Sequence, residues 1–157
     1  GIVAGGMLNS ISFYVNSVGT PTTYSNYEVK MACTSETDVS NGWILPSNMT
    51  VVVPSYTHTA VTGWNTHNFT SPYKWAGQSS MVFEICYNNV GSTTNGNSIM
   101  PYTPTGFQSV IYQSANTSSV CQTYSQVGFG GATISNNRPN TRFNFCTGVD
   151  PAALNYS

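Results

Sequence analysis

The sequence predicts an all-β protein, an antiparallel β-sandwich of the jelly-roll or Greek-key kind with about nine strands. Short apolar segments alternate with polar residues, and turn residues recur about every 8–12 residues along the chain. No window shows the sustained apolar periodicity of an amphipathic helix. Two long polar connections, Thr34–Gly42 and Asn88–Pro104, favour strands that cross between sheets over a series of simple hairpins.

The first two strands are indicated by alternating apolar and polar residues. Ile11–Val18 alternates apolar and polar residues until Gly19-Thr20-Pro21 breaks the pattern. Tyr24–Cys33 places Tyr27, Val29 and Met31 on one face and Glu28 and Lys30 on the other. We therefore expect a sheet with one dry face and one solvated face.

The next two segments are separated by a proline. Met49–Val53 is a continuous apolar run, which predicts a central strand, and Pro54 should end it. Tyr56–Val61 then continues as a separate, Thr-rich extended segment.

The stretch Gly63–Asn89 predicts two strands around an Ala-Gly-Gln turn. We expect the first strand, Gly63–Phe69, to end before Ser71-Pro72, and the second to be Ser80–Tyr87. Trp64 and Phe69 have opposite parity, so a bulge is needed if both face the core. The two strands should form a hairpin-like pair at the centre of the sandwich.

The last part of the chain predicts three further strands, Phe107–Gln113, Cys121–Val127 and Thr141–Cys146. The intervening residues 136–140 are polar and predict a loop. We expect one sandwich domain over residues 1–146, followed by a tail or linker over residues 147–157.

The charge composition excludes some functions. Only 6% of the 157 residues are charged and the net charge is −1, whereas an ordinary domain has about 25% charged residues. The chain has no basic stripe for a phosphate backbone, so we predict no nucleic-acid binding. No stretch approaches the roughly 18 apolar residues of a membrane span, so we predict no membrane insertion.

The four cysteines, Cys33, Cys86, Cys121 and Cys146, contain no CxxC pair and no metal-ligand spacing. An even number of cysteines on a polar, Thr-rich chain suits an oxidising, extracellular setting. Three pairings are possible, and we favour Cys86–Cys121 with Cys33–Cys146. The alternative is four buried free thiols, because cysteine is often simply a small core residue.

The sequence offers no catalytic constellation. Acid–base catalysis needs a pair of carboxylates, or a carboxylate with a histidine, and no such pairing is indicated. There is no G-x-S-x-G elbow and no cysteine beside a histidine. We therefore predict that the protein is not an enzyme and needs no cofactor.

Metal sites also have little support. Glu36 and Asp38 lie two residues apart in a loop, where a calcium-type site is the alternative to a solvated loop, which we favour. His58 and His67 lie in separate extended segments. A metal pair would require them to be adjacent across strands and oriented by outer-shell groups. We predict no metal site.

Glu84 is the one charged residue in the strand Ser80–Tyr87. Its neighbours are apolar, so it should be paired or half-exposed. We expect a structural ion pair with Lys74 or Arg142 on adjacent strands.

Aromatic residues are abundant and concentrate around the stretch Gly63–Asn89; the five of interest are Trp43, Tyr56, Trp64, Tyr73 and Trp75. In the core they would only pack, but if exposed they would form a platform for stacking sugars. A carbohydrate-binding module should expose at least two of them in one plane, whereas a structural repeat should bury the three tryptophans.

The run Gly63–Asn89, GWNTHNFTSPYKWAGQSSMVFEICYNN, resembles a pattern in large secreted surface proteins of the Bacteroidetes. That pattern has a Gly-Trp strand, an Asn/Thr–Phe run, a Pro-aromatic step, a Trp-Asp-Gly turn and a strand ending in Val-Glu-Ile-Cys-Tyr/Phe-Asn-Asn. ISFYVNSVG at Ile11–Gly19 and RPNTRF at Arg138–Phe143 also fit it in order. Ala76 stands where the family has Asp, so any role of that Asp is lost here.

The resemblance implies an extracellular β-sandwich module of an adhesin-like protein that is exported by the type IX route. Similar domains begin before the position of Gly1, so we expect this chain to be one repeat or fragment of a larger polypeptide. We expect a structural or adhesive module of a surface protein or filament, with neighbouring repeats or identical subunits as partners. The alternative is a carbohydrate-binding module for cell-surface glycans, alone or attached to a secreted hydrolase.

Overall fold

The computed structural model describes residues 6–43, 49–75, 77, 79–88, 98–114 and 131–146. These residues contain no helix, and they form ten strands: β1 Met7–Val15, β2 Thr23–Thr34, β3 Thr50–Thr59, β4 Gly63–Lys74, β5 Ser80–Asn88, β6 Tyr102–Pro104, β7 Val110–Gln113, β8 Ala132–Ser135, β9 Asn137–Pro139 and β10 Thr141–Cys146. The predicted all-β class is confirmed. The part of the chain that the structure describes contains no helix that could cross a lipid bilayer.

Two three-stranded antiparallel sheets make up the body of the protein. The first sheet has the order β10-β1-β4 and the second has the order β3-β2-β5. Rings from the two sheets meet face to face: Phe83 of β5 lies 5.7 Å from Phe13 of β1 and 6.0 Å from Phe143 of β10, measured between centroids. The two sheets therefore form a sandwich around a shared core.

The core is built mainly from the inward faces of the two central strands, β1 and β2. Leu8 and Ile11 on β1 and Val29 and Met31 on β2 are fully buried. Val29 and Met31 alternate with polar residues that point to the outer face of the second sheet, as the sequence predicts.

Two prolines predicted to end strands lie inside them instead. Pro54 is in the middle of β3 and Pro72 is near the end of β4. Both strands are at the edges of their sheets, where a residue without an N–H group leaves no ladder bond unmade. The prediction that Met49–Val53 forms a central strand is therefore also wrong, because that segment belongs to the edge strand β3.

The predicted hairpin over Gly63–Asn89 is wrong. β4 pairs only with β1 in the first sheet, and β5 pairs only with β2 in the second sheet. The chain crosses from one sheet to the other between them, so each strand can bury one face in the shared core. A register shift does interrupt β4, between Asn68 and Tyr73.

Residues 102–113 and 132–139 form a two-stranded ribbon, in which β6 pairs with β9 and β7 pairs with β8. The segment between β6 and β7 bulges out, and its ends are held by hydrogen bonds from Thr105 N–H and Ser109 N–H. The sequence predicted the β7 segment but assigned residues 136–140 to a loop. β6 and β9 were missed because each has three residues and ends in proline.

The predicted strand Thr141–Cys146 matches β10, and β1 begins four residues earlier than predicted. The predicted strand Cys121–Val127 and the tail over residues 147–157 lie outside the described residues.

Candidate functional site

The structure separates the five aromatic residues considered for ligand binding. Trp43, Trp64, Tyr73 and Trp75 are half-buried, and Tyr56 is 39% exposed. A structural repeat was expected to bury the three tryptophans, but none of them is fully buried. Neither do the five residues offer the pair of exposed rings that a sugar platform needs.

Trp64 lies on the outer face of the first sheet rather than in the core. Its register partner Tyr14 packs edge-on against it, with centroids 5.3 Å apart. The guanidinium carbon of Arg142 lies 3.8 Å from the centre of the Trp64 ring. One face of the indole is therefore covered by a cation–π contact.

Tyr73 and Trp75 pack against the core from its edge. Trp75 Nε1–H donates a hydrogen bond to the Ser79 carbonyl oxygen, at 3.1 Å. The Tyr73 hydroxyl donates to Cys33 Sγ, at 3.6 Å. Burial, together with the hydrogen bond to Cys33, raises the pKa of Tyr73 to about 12. Both polar tips are already engaged within the protein.

Cys33 is a free, exposed thiol, so the predicted Cys33–Cys146 disulfide is wrong. Cys33 lies near the end of β2 in the second sheet, whereas the backbone of Cys146 pairs with Met7 in the first. Cys86 is disulfide-bonded, and its partner's side chain lies outside the described part of the chain. The pairing of Cys86 with Cys121 stays a prediction.

Glu84 forms an ion pair, but not with the predicted partners. Lys30 Nζ lies 3.1 Å from Glu84 Oε1 and 3.2 Å from Glu28 Oε1. Lys30 and Glu84 face each other as register partners on the outer face of the second sheet. Lys74 and Arg142 belong to the first sheet, on the far side of the core. The predicted pairing with Lys74 or Arg142 is therefore wrong.

Replacing Lys30 by Met should lower the free energy of unfolding by about 1–2 kcal/mol, because the two carboxylates that share Lys30 would then repel each other. Urea denaturation at pH 7 measures the effect. The matched control is Lys74→Met at the exposed end of β4, which should change stability by less than about 0.5 kcal/mol. Equal losses in the two variants would contradict a role for the ion pair.

The side chains with the most unusual environment form a Tyr–His cluster of Tyr27, Tyr56, His58 and His67. Tyr27 comes from β2, Tyr56 and His58 from β3, and His67 from β4, so the cluster joins the two sheets at one side of the sandwich. The imidazole centroids are 4.8 Å apart, and Tyr27 stacks on His67 at 4.7 Å. The sequence did not predict that the two histidines are adjacent, and the structure brings them together.

One hydroxyl group links the two histidines. Tyr56 Oη lies 2.8 Å from His67 Nδ1 and 3.2 Å from His58 Nδ1. On the other side of the ring, His67 Nε2 lies 3.2 Å from Tyr27 Oη. His67 therefore has a hydrogen-bond partner at each ring nitrogen.

Burial determines the protonation of the cluster. Burial, with a smaller contribution from the neighbouring His58, lowers the pKa of His67 from its usual 6.5 to about 4. Burial also lowers the pKa of His58, although a hydrogen bond with the Asn65 side chain opposes this effect. Burial raises the pKa of Tyr27 and Tyr56. At neutral pH both imidazoles are uncharged and both phenols keep their protons.

The contacts of Asn65 fix the orientation of His58. The Asn65 amide nitrogen donates to the carbonyl oxygens of Val61 and Gly63, at 2.7 and 3.0 Å. Its Oδ1 accepts from Val61 N–H at 3.0 Å. A carbonyl oxygen has two lone pairs, so Oδ1 can accept one more bond. His58 must therefore donate its single N–H to Asn65.

The remaining hydrogen bonds then follow in one direction. Tyr56 sits at His58 Nδ1, so His58 donates through Nε2–H and accepts from the Tyr56 hydroxyl at Nδ1. His67 Nδ1–H in turn donates to the Tyr56 oxygen, and His67 Nε2 accepts from the Tyr27 hydroxyl. Every donor in this chain has an acceptor, and no buried side-chain N or O atom of the described residues lacks a partner.

The ribbon exposes aromatic rings. Of the eight large apolar side chains described as exposed, four lie between Ile99 and Tyr112. Tyr102 is 56%, Phe107 47% and Tyr112 53% exposed. An open groove of about 490 Å³ lies beside the bulge between β6 and β7, lined by Thr105, Gly106, Phe107, Gln108, Ile134, Ser135 and Asn136.

Among the described residues, no three His, Cys, Asp or Glu side chains come together. In the loop after β2, Asp38 accepts hydrogen bonds from the backbone N–H and the hydroxyl of Ser40, which lower its pKa. Glu36 accepts from the Asn41 amide at 3.3 Å. The two carboxylates thus each bind protein donors.

Comparison of the chain with protein-family models, curated proteins and solved structures found no match. The resemblance to Bacteroidetes surface modules therefore stays a prediction, as does the absence of catalytic activity.

Proposed function

We propose that the protein is a non-catalytic, extracellular structural or adhesive module of a bacterial cell-surface protein or filament. The observation that carries the proposal is the set of exposed rings on the ribbon, Tyr102, Phe107 and Tyr112. Large apolar side chains that concentrate on one exposed segment are typical of a surface that contacts other proteins. The partners we propose are neighbouring repeats or identical subunits.

The ribbon is not needed to complete the sandwich core. The buried core residues come from β1, β2 and β3, with half-buried neighbours mainly from β4, β5 and β10. The low charge of the chain also supports contacts between copies, because like-charge repulsion between molecules of net charge −1 is weak.

The ribbon is attached at one end of the sandwich. Asn140 joins it to β10 and hydrogen-bonds Pro101 and Tyr14, near the end of β1. At the other end of β1, Met7 pairs with Cys146. The start of β1 and the end of β10 therefore lie side by side at the end opposite the attachment of the ribbon.

A variant with Tyr102, Phe107 and Tyr112 all replaced by Ser should lose association with other copies, because the apolar contact surface is removed. Sedimentation velocity and electron microscopy over a concentration series measure association, and far-UV circular dichroism shows whether the fold is kept. We expect the wild-type chain to assemble and the folded variant to stay monomeric.

In the control variant, Val51 and Val61 are replaced by Ser. Both side chains are exposed; Val51 lies on β3 and Val61 just after it. This variant should assemble like the wild type. A wild-type chain that stays monomeric, or assembly that the ribbon variant retains, would contradict the proposed contact surface.

The groove beside Phe107 favours one second candidate, a carbohydrate-binding module. Its volume suits a small ligand, and an exposed ring lies beside hydroxyl and amide groups. A glycan array distinguishes the candidates. Selective glycan binding that Phe107→Ser abolishes, in a chain that does not assemble, would favour the sugar module, whereas assembly without glycan binding supports the structural module.

A further inference from the structure

We propose that His58, His67 and Tyr56 bind a divalent transition-metal ion of the class that favours imidazole, such as Zn²⁺ or Cu²⁺. The Nδ1 atoms of the two imidazoles converge on one oxygen atom, the Tyr56 hydroxyl, at 2.8 and 3.2 Å. Three donor atoms of the types that these metals bind are therefore already neighbours. The proposed site goes beyond the proposed function and does not depend on it.

The spacing of the donors suits one ion. In a tetrahedral site with metal–ligand bonds of about 2.0–2.1 Å, neighbouring donor atoms lie about 3.3 Å apart. The two oxygen–nitrogen distances in the cluster, 2.8 and 3.2 Å, are now those of hydrogen bonds, and both lie within about 0.5 Å of this value. Small side-chain rotations would therefore bring the three donors to the spacing of a metal site. The ion would sit beside the Tyr56 oxygen, within reach of both imidazoles.

Each histidine also has an outer partner for its second nitrogen. Metal-bound histidines usually donate their other N–H group to a protein acceptor, which fixes the ring. His58 has such an acceptor in the Asn65 side chain, with which it forms a hydrogen bond. For His67, metal binding at Nδ1 moves the ring proton to Nε2, where the Tyr27 oxygen at 3.2 Å accepts it.

Metal binding at Tyr56 is coupled to proton release. A tyrosine binds a metal ion through its phenolate oxygen, so coordination releases the phenol proton to solvent, one for each ion bound. The affinity for metal should therefore increase with pH.

The site is open to solvent on one side. Tyr56 is 39% exposed and lies on the edge strand β3, so an ion can enter, and water can fill its remaining coordination position. The ion would link β3 of the second sheet to β4 of the first. Bound metal should therefore raise the melting temperature.

The test titrates the full chain with Zn²⁺ by calorimetry and with Co²⁺ by visible absorption, which reports four-coordinate geometry. We expect one ion per chain, and affinities weakened by more than about tenfold in His58→Phe and in Tyr56→Phe. Both residues are partly exposed, so these variants should fold, which thermal melts check. His67→Phe should also lose binding.

Two controls exclude other donors. Cys33→Ser removes the exposed thiol and Asp38→Asn removes a loop carboxylate, and both should bind like the wild type. The absence of saturable binding would overturn the proposal. Binding that survives His58→Phe or Tyr56→Phe, or that disappears in Cys33→Ser, would also overturn it by placing the ion elsewhere.

Discussion

Replacing Ile11 by Ala is expected to lower the free energy of unfolding by about 2–5 kcal/mol. Ile11 has no exposed surface and lies in the middle of β1, between His67 on β4 and Phe143 on β10. β1 is the central strand of its sheet, so its neighbours are held on both sides and cannot collapse into the space. The loss therefore includes a cavity as well as the buried methylene groups.

Urea denaturation measures this loss, provided that the dependence of the free energy of unfolding on urea concentration is the same in the two proteins. The chain offers the same substitution at an exposed site, because Ile99 is 59% exposed and lies at an isolated bridge to Ser17. Ile99→Ala should change stability by less than about 0.5 kcal/mol. Similar losses at the two positions would contradict a core centred on β1.

Acidification from pH 6.5 to pH 4 should destabilise the protein by up to about 3 kcal/mol through His67 alone. The folded state lowers the pKa of His67 from 6.5 to about 4, so in this window the unfolded chain binds more protons than the folded chain. Stability therefore falls as the pH falls. The contribution of His67 is fully present above its unfolded pKa of 6.5.

Urea midpoints at several pH values between 7 and 4 measure this dependence. His67→Gln removes the titrating group but keeps an amide that can hydrogen-bond the tyrosines, so its stability should depend less on pH. Asp38 titrates alike in the wild type and the variant, so the effect of its lowered pKa cancels in the comparison. A variant with the wild-type pH dependence would contradict a buried, neutral His67.

Local patterns predicted the strands, but they did not predict how the strands are arranged. The alternation around Glu28 and Lys30 gave the inner and outer faces of β2 correctly, because a strand's side chains alternate whatever its neighbours are. Pro54 and Pro72 were misread because a proline ends a central strand but not an edge strand. Whether β3 and β4 are edge strands depends on the order of both sheets, which no local window contains.

The ion pair and the Tyr–His cluster show the same limit. The partner of Glu84 has to be a cation on the outer face of the second sheet. Only the pairing of β5 with β2 shows that this cation is Lys30. The alternation of side chains along β4 could have placed His67 on the inward face of the sheet, where its register partner is Ile11. Its contacts with Tyr27 and Tyr56 arise between two sheets, so they could not be predicted before the topology was known.

The exposed rings of the ribbon were not expected, because the aromatic residues considered from the sequence lie elsewhere. Tyr102, Phe107 and Tyr112 fall in and around short strands that end at prolines or a bulge. An alternation pattern needs longer segments to show which side faces solvent.

Amide hydrogen exchange in the assembled and the monomeric protein tests the proposed contact surface most directly. If the ribbon is that surface, amides between Ile99 and Gln113 should exchange more slowly on assembly, while those of the edge strand β3 should be unchanged. Slower exchange confined to β3 or β4, with the ribbon unchanged, would show that copies associate through the sheet edges and would contradict the proposal.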